Sequence, residues 1–423
     1  MKVIESVRAQ AAAARTSCRV LKRSSSAERD AFLIGLASIL REQSEAIVAA
    51  NRTDLDQGAI AGLDGAMLDR LRLTPARIEG MASDLERIAA LADPLGQRFE
   101  VHTLRNGLRA HKRRVPLGVL GVIYESRPNV TIDVAALAIK TGNAAVLRGG
   151  KEAIASNRIL LRIAREALSS SGLPVEALQF IDSIEREASL ALLQQDDLVD
   201  LIIPRGGAGL HAFCRRESRI PVITGGIGIC HLYVDQAADL ARALPVIRNA
   251  KVQRPTVCNA LDTVLIHRQV AADFVPELVR TLAADGVEFR CDERALALAA
   301  NQTSARVSPA GSADFDTEWL SLMLGIAIVD DAEAAMRHIE AHSSGHSDGI
   351  LSDDAVLAEE FLARIDSAAV YWNSSTRFTD GGELDLGAEV AVSTQKLHAR
   401  GPMGLTELTS YKWVLEGDYS SRV

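Results

Sequence analysis

The stretch 119-VLGVIYESRPNV-130 decides how the rest of the chain is read. Its first six residues are apolar or small throughout, the pattern of a strand buried on both faces. Glu125-Ser-Arg-Pro-Asn129 then interrupts it, and an apolar run with helical spacing follows. In an open α/β sheet, the loop at the carboxyl end of a strand is where ligands bind. On these residues alone a second reading stays open: an Arg-Pro turn with Asn129 as a helix cap.

The alternation continues after this unit. Strand-like segments fall at 144–148, 178–182, 199–203 and 221–224. Helical stretches lie between them, such as 154–168, where Ile154, Leu160, Ile163, Ala164 and Ala167 keep helical spacing. This pattern predicts an α/β fold with a doubly wound parallel sheet. A second alternation starts near His231 and runs past 368–373, and the Gly-, Ser- and Thr-rich segment 381–403 reads as loop. Residues 1–95 read as helical, with Phe32, Leu33, Leu36, Leu40 and Ile47 marking one helix face that fades near Asn51. Asn106-Gly107 is a strong hairpin signal between polar, strand-like flanks, and a last strand is expected at 408–415. Such a polar hairpin suits an exposed arm or a subunit contact.

Three glycine turns follow predicted strands: Leu147-Arg-Gly-Gly-Lys-Glu152, Pro204-Arg-Gly-Gly-Ala-Gly209 and Thr224-Gly-Gly-Ile-Gly-Ile-Cys230. Backbone N–H groups at such turns can meet an anion, and Arg148 and Lys151 add positive charge. None is a G-x-G-x-x-G fingerprint, and a tight turn without a ligand accounts for each singly. Together they point to a nucleotide-binding sheet.

A net charge of −8 without a dense basic patch argues against a nucleic-acid partner. No apolar run approaches the roughly 18 residues that suggest a membrane span. The N-terminus lacks the apolar core of a signal peptide. Arg8, Arg15, Arg19 and a serine run faintly resemble a transit peptide, but Glu5 interrupts them and Ser25-Ser-Ala-Glu28 reads as a capping box. The expectation is a folded helical N-terminus and a cytoplasmic protein.

The five cysteines are odd in number and scattered, without C-x-x-C or paired Cys/His spacing. Neither a zinc site nor a disulfide framework is expected, and most should be small buried hydrophobes. Cys258 differs, because 251-KVQRPTVCNA-260 places it between a helical pattern at 237–250 and a strand-like one at 261–266. A thiol reacts as thiolate, which nearby cations favour, and Lys251 and Arg254 share its segment. On the residues alone, a structural cysteine and a nucleophile both remain open. His346 and His398 lie in polar loops and are weaker candidates.

YESRPNVT, LRGGKEA, PRGG, KVQRPTVCNA, SGHSDGI, NSSTRFTDGGE and STQKLHARGPMGL occur in this order and closely resemble the γ-glutamyl phosphate reductases. That family belongs to the aldehyde dehydrogenase superfamily, and the likeness runs from the N-terminal helices to Lys412. It implies a cofactor domain at 1–96 and 116–230 and an α/β catalytic domain at 231–388. A small β oligomerisation element, 97–115 with 389–423, completes the aldehyde dehydrogenase-like fold and implies a homo-oligomer. Cys258 takes the place of the superfamily's catalytic thiol, which holds the acyl group as a thioester. Asn129 takes the place of an asparagine that steadies the oxyanion with the Cys258 N–H. Arg148 falls where relatives place a ribose-contacting lysine, and Glu318 resembles the glutamate that holds the nicotinamide-side ribose. Gly149, Gly206, Gly207, Thr224 and Gly225 complete the expected cofactor contacts.

Two departures from the superfamily pattern inform the chemistry. Hydrolysing relatives keep a water-activating glutamate in E-L-G-G-K, where this chain has Ile223-Thr-Gly-Gly-Ile227 without a carboxylate. NAD-using relatives often carry a glutamate where Lys151 stands, and a lysine favours the 2′-phosphate of NADPH. The implied reaction is NADPH-dependent reduction of L-glutamate 5-phosphate to L-glutamate 5-semialdehyde, in proline biosynthesis. Arg127, Arg254, Arg377, Lys396 and Arg400 are the candidate substrate-binding cations, with loop-bracing as the other role open to Arg377 and Arg400. A glutamate 5-kinase is the candidate protein partner. The alternatives are an acylating dehydrogenase working on another acyl phosphate or an acyl-CoA, and a nucleotide-binding interaction protein with an inert Cys258.

Overall fold

The structure is a computed structural model that describes residues 2–225, 227–300 and 305–421. The chain forms two compact units, 1–224 with 385–391 and 402–423, and 225–384 with 392–401.

In the first unit, helices Lys2–Leu21, Ser26–Glu42, Ser44–Ile60, Gly65–Leu71 and Pro75–Ala90 come first. The expected capping box is present: the Ser25 side chain accepts from the Glu28 N–H while the Glu28 carboxylate accepts from the Ser25 N–H. The single helix expected through Ile47 is instead two. Gln43 leaves helical geometry at φ −102° and ψ 17° and ends the first helix. The apolar face fades because the second helix buries polar groups. Asn51 accepts from the Leu73 N–H and Asp54 accepts from the Ser156 N–H.

Beyond the helices, strands Leu178–Phe180, Ala144–Arg148, Val119–Tyr124 and Leu201–Arg205 form a parallel sheet in that order. Every residue of Val119–Tyr124 is buried, as its unbroken apolar pattern requires. Helices Val130–Lys140 and Ile154–Ser170 are among its crossovers. The expected strand at 221–224 shrinks to one bridge between Val222 and Ile202, because Pro221 has no N–H to extend a ladder. Two other strands sit within two residues of expectation.

The Asn106-Gly107 hairpin joins Arg98–Thr103 to Arg109–Pro116, and Thr409–Glu416 of the same chain adds antiparallel to the latter. Gly107 takes the left-handed position at φ 86°. Lys112 Nζ lies 4.4 Å from the centre of the Tyr411 ring. Val101, Tyr411, Trp413 and Leu415 are exposed.

In the second unit, seven parallel strands run in the order Val307–Pro309, Glu288–Cys291, Met323–Val329, Leu261–His267, Cys230–Val234, Ser347–Leu351 and Ala369–Trp372. Successive residues of one strand enter different cores. Leu232, Val264 and Ile326 pack with Ile247, Phe274 and Leu278, whereas Tyr233, Leu265 and Ala327 pack with Met336 and Phe361. Helices thus cover both faces, which is why these strands read as continuous apolar runs. The 381–403 segment is mostly turns, with two-residue strands at Val392–Ser393 and Gly401–Pro402. Among the described residues, no helix is long and apolar enough to cross a membrane.

Candidate active site

Helix Leu240–Val252 ends at Gln253, and the turn at 254–260 carries Cys258 into strand Leu261–His267. Cys258 is half-buried, while Cys18, Cys214, Cys230 and Cys291 are buried, and none is in a disulfide. Burial pushes the Cys214 and Cys291 thiols up to about 12 and also raises those of Cys18 and Cys230. Cys258 is thus the one cysteine that is not buried.

Its backbone is tightly enclosed. The Cys230 thiol donates to the Cys258 carbonyl at 3.2 Å. A Cβ on Gly228 would lie 1.5 Å from that same oxygen, so only glycine fits. The Gly228 N–H donates to the Glu318 carboxylate at 2.9 Å. Glu318, expected at a ribose, thus also holds the segment that presses on the Cys258 backbone. Its loop is anchored by the Trp319 N–H, which donates to buried Asp262 at 3.1 Å.

The two cations expected to activate Cys258 separate in the structure. Lys251 is fully buried, donates to the Leu261 carbonyl at 2.8 Å and sits 3.8 Å from Asp262. Its long stem carries the ammonium into the core beside Asp262, so it serves that carboxylate and not the thiol. Burial raises the Asp262 carboxyl to about 6 and lowers the Lys251 ammonium. Arg254 is exposed.

Arg377 reaches the loop instead, in the loop-bracing role left open for it, through partners that the sequence did not name. Its Nε donates to Gln253 Oε1 at 2.9 Å and its Nη1 donates to Asn259 Oδ1. Asn259 in turn donates to the Thr379 carbonyl at 2.9 Å, and Thr376 Oγ1 donates to the Asn259 carbonyl at 2.7 Å. Gln253 and Asn259 lay in the quoted 251–260 stretch and Thr376 and Thr379 in NSSTRFTDGGE, but nothing local signalled that they would meet. Lys396 and Arg400 both pair with exposed Asp366, Arg400 at 2.8 Å. His346 is buried with Nδ1 2.9 Å from Ser347 Oγ, and His398 is exposed at φ 70°.

The glycine turns of the first unit are partly filled by the chain itself. Arg148 closes its strand with Nη1 on the Gly149 carbonyl at 3.1 Å and Nη2 on the Ile184 carbonyl at 3.3 Å. Its buried Nε has no hydrogen-bond partner among the described residues, and burial pulls the guanidinium down from its usual range. Lys151 is exposed beside it. The Gly207 N–H was expected to face an anion, and it does, but the anion is Glu125 at 3.1 Å. A helix N-terminus attracts negative charge, and this carboxylate occupies it. Gly225 pairs antiparallel with Ser393, and Gly226 lies outside the described residues.

Asn129 precedes helix Val130–Lys140 without capping it, and its amide donates to Asp133 at 2.8 Å. Burial raises the Asp133 carboxyl to about 6, against the Asn129 hydrogen bond and the charges of Arg205 and Arg127.

Comparison with known proteins places this arrangement. Residues 3–295 match the model of the aldehyde dehydrogenase family. A γ-glutamyl phosphate reductase of Roseiflexus castenholzii is 54% identical over 411 residues, covering 96% of this chain and 97% of that protein. The crystal structure of a γ-glutamyl phosphate reductase from Thermotoga maritima superposes with TM-score 0.95 at 40% identity, covering 99% of this chain and all of that one. A glyceraldehyde-3-phosphate dehydrogenase of Methanocaldococcus jannaschii, solved with NADP, shares the fold at TM-score 0.69 and 16% identity, covering 98% of this chain and 95% of that one. The chain is an oxidoreductase of the aldehyde dehydrogenase family and belongs, within it, to the γ-glutamyl phosphate reductases.

Proposed function

We propose that the enzyme reduces L-glutamate 5-phosphate to L-glutamate 5-semialdehyde with release of inorganic phosphate, using NADPH, as a step of proline biosynthesis in the cytoplasm. The observation that carries this reading is the name shared by relatives 54% identical across 96% of the chain. The half-buried thiol in its enclosed loop supports the chemistry.

As thiolate, Cys258 attacks the γ-acyl carbon, and the oxyanion collapses to expel phosphate, leaving a γ-glutamyl thioester on Sγ. Asn129 keeps the oxyanion-donor role that the resemblance gives it, and its bond to Asp133 fixes the amide's orientation. NADPH, when bound, supplies the hydride that reduces the thioester. The hemithioacetal then releases the aldehyde and returns the Cys258 thiolate. No carboxylate stands at 223–227 to activate water, so phosphate remains the natural partner of the thioester in the reverse direction.

Buried Arg148 Nε, with no partner among the described residues, and exposed Lys151 fit a ribose bearing a 2′-phosphate. The Gly206–Gly207 turn fits a pyrophosphate only if Glu125 leaves it. Gly149, Thr224, Gly225 and Glu318 complete the proposed cofactor contacts. Arg127 and Arg254 are the first choices for the substrate's phosphate and α-carboxylate, since Lys396 and Arg400 already share Asp366. The hairpin and C-terminal strand are the proposed contact of a homo-oligomer, and a glutamate 5-kinase the proposed donor of the labile substrate.

The test runs the reaction backwards, with NADP and pyrroline-5-carboxylate, which equilibrates with the semialdehyde. Phosphate-dependent NADPH formation is expected. Sustained formation without phosphate, beyond one NADPH per enzyme, would mean that water resolves the thioester, and activity only with acetyl-CoA and NADPH would favour an acyl-CoA substrate.

A further inference from the structure

Arg377 touches the nucleophile's loop at both ends. Gln253, which receives its Nε, closes the helix before the loop, and Asn259, which receives its Nη1, is the residue after Cys258. The opposite side of the loop is held separately by Gly228 and Cys230. Nη2 makes no hydrogen bond among the described residues, so the guanidinium keeps donors to spare after bracing the loop.

We propose that Arg377 is a positioning residue for Cys258: one guanidinium spans the two ends of the loop and supplies the positive charge that stabilises the thiolate. The inference rests on Cys258 being the nucleophile.

The charges around the pair are consistent with this role. The guanidinium is half-buried and drawn down by desolvation and by Arg254, against Asp380, Cys258 and Glu383, so the thiol lies within its field. The Glu318 carboxylate, bonded to the Gly228 N–H, is an opposing charge. Cys230 is held neutral by burial. Lys251 and Asp262 face each other in the core and largely cancel. Arg254 adds to the positive side but is solvated. Arginine suits the position because two of its N–H groups can fix a loop while the charge stays delocalised, which lysine cannot match.

The test is the pH profile of Cys258 alkylation by iodoacetamide, read by peptide mass spectrometry without substrate or cofactor. Arg377→Gln should move its midpoint up by about one unit and slow labelling roughly tenfold at neutral pH. Arg377→Lys should restore the midpoint only in part and leave turnover impaired, because lysine keeps the charge but cannot hold it against both ends of the loop. A profile for Arg377→Gln that superposes on the parent, with only KM raised, would overturn the proposal and leave Arg377 as a substrate ligand. Gln253→Ala, at an exposed position, carries the test if Arg377→Gln does not fold. It frees one anchor and must shift the midpoint in the same direction, and coincidence with the parent refutes the clamp. Alkylation reports the thiol whatever the substrate, so a wrong substrate assignment would leave these results untouched.

Discussion

Replacing Gly228 by alanine is the sharpest perturbation of the nucleophile's surroundings. The added Cβ would sit 1.5 Å from the Cys258 carbonyl oxygen. A carbon–oxygen contact settles at about 3.3 Å or more, so the two segments must part by nearly 2 Å. The obstacle is backbone on both sides, with no flexible side chain to swing away. Gly228 is tied to Glu318 at 2.9 Å and the Cys258 carbonyl to the Cys230 thiol at 3.2 Å, so the shift breaks at least one of these bonds. Misplacing a reacting group by about 1 Å can cost on the order of 10²-fold in rate. Gly228→Ala should therefore lower kcat by at least about 10²-fold, with a stability loss of roughly 1–3 kcal/mol. NADP binding, measured by fluorescence titration, should weaken by less than kcat falls, because Glu318, a proposed ribose contact, is also the partner of the Gly228 N–H. The assay is phosphate-dependent NADPH formation from pyrroline-5-carboxylate. An alanine variant that keeps more than a tenth of the parental kcat would refute the argument that this contact positions Cys258.

Lys151→Glu should shift cofactor preference from NADPH toward NADH; an unchanged ratio of kcat/KM values would remove Lys151 from the 2′-phosphate. For Asp133 the sign follows from a carboxyl raised to about 6 in the folded state, so the charged form costs stability above that pH and the cost fades as pH falls through it. Asp133→Asn should then stabilise the protein more at pH 8 than at pH 5, by roughly 1.4 kcal/mol in urea titrations, and an equal effect at both pH values would contradict it. Shortening the hairpin tip at 104–108 should lower the oligomeric state measured by light scattering, and an intact oligomer would count against this arm as the subunit contact.

The fold was legible where local pattern carries it. Val119–Tyr124 and Leu261–His267 are buried end to end, and their unbroken apolar runs said so. Gln43 was not legible, because Ile47 continues the apolar face across a break made by backbone geometry. The candidate site was legible in its types but not in its partners. Nothing in Pro204–Gly209 shows that Glu125, 82 positions upstream, fills the Gly207 donor. Arg377 and Asn259 lie 118 positions apart, and no periodicity links them. Lys251 misled for the opposite reason: it is close in sequence to Cys258, yet helix geometry turns it into the core.

The proposed mechanism places the acyl group on Cys258. Incubating the enzyme with pyrroline-5-carboxylate and NADP, without phosphate, should let the thioester accumulate, and acid quenching followed by peptide mass spectrometry should find a glutamyl adduct on Cys258. Its loss on adding phosphate would complete the cycle. An adduct on another cysteine, or none while NADPH forms, would contradict the claim.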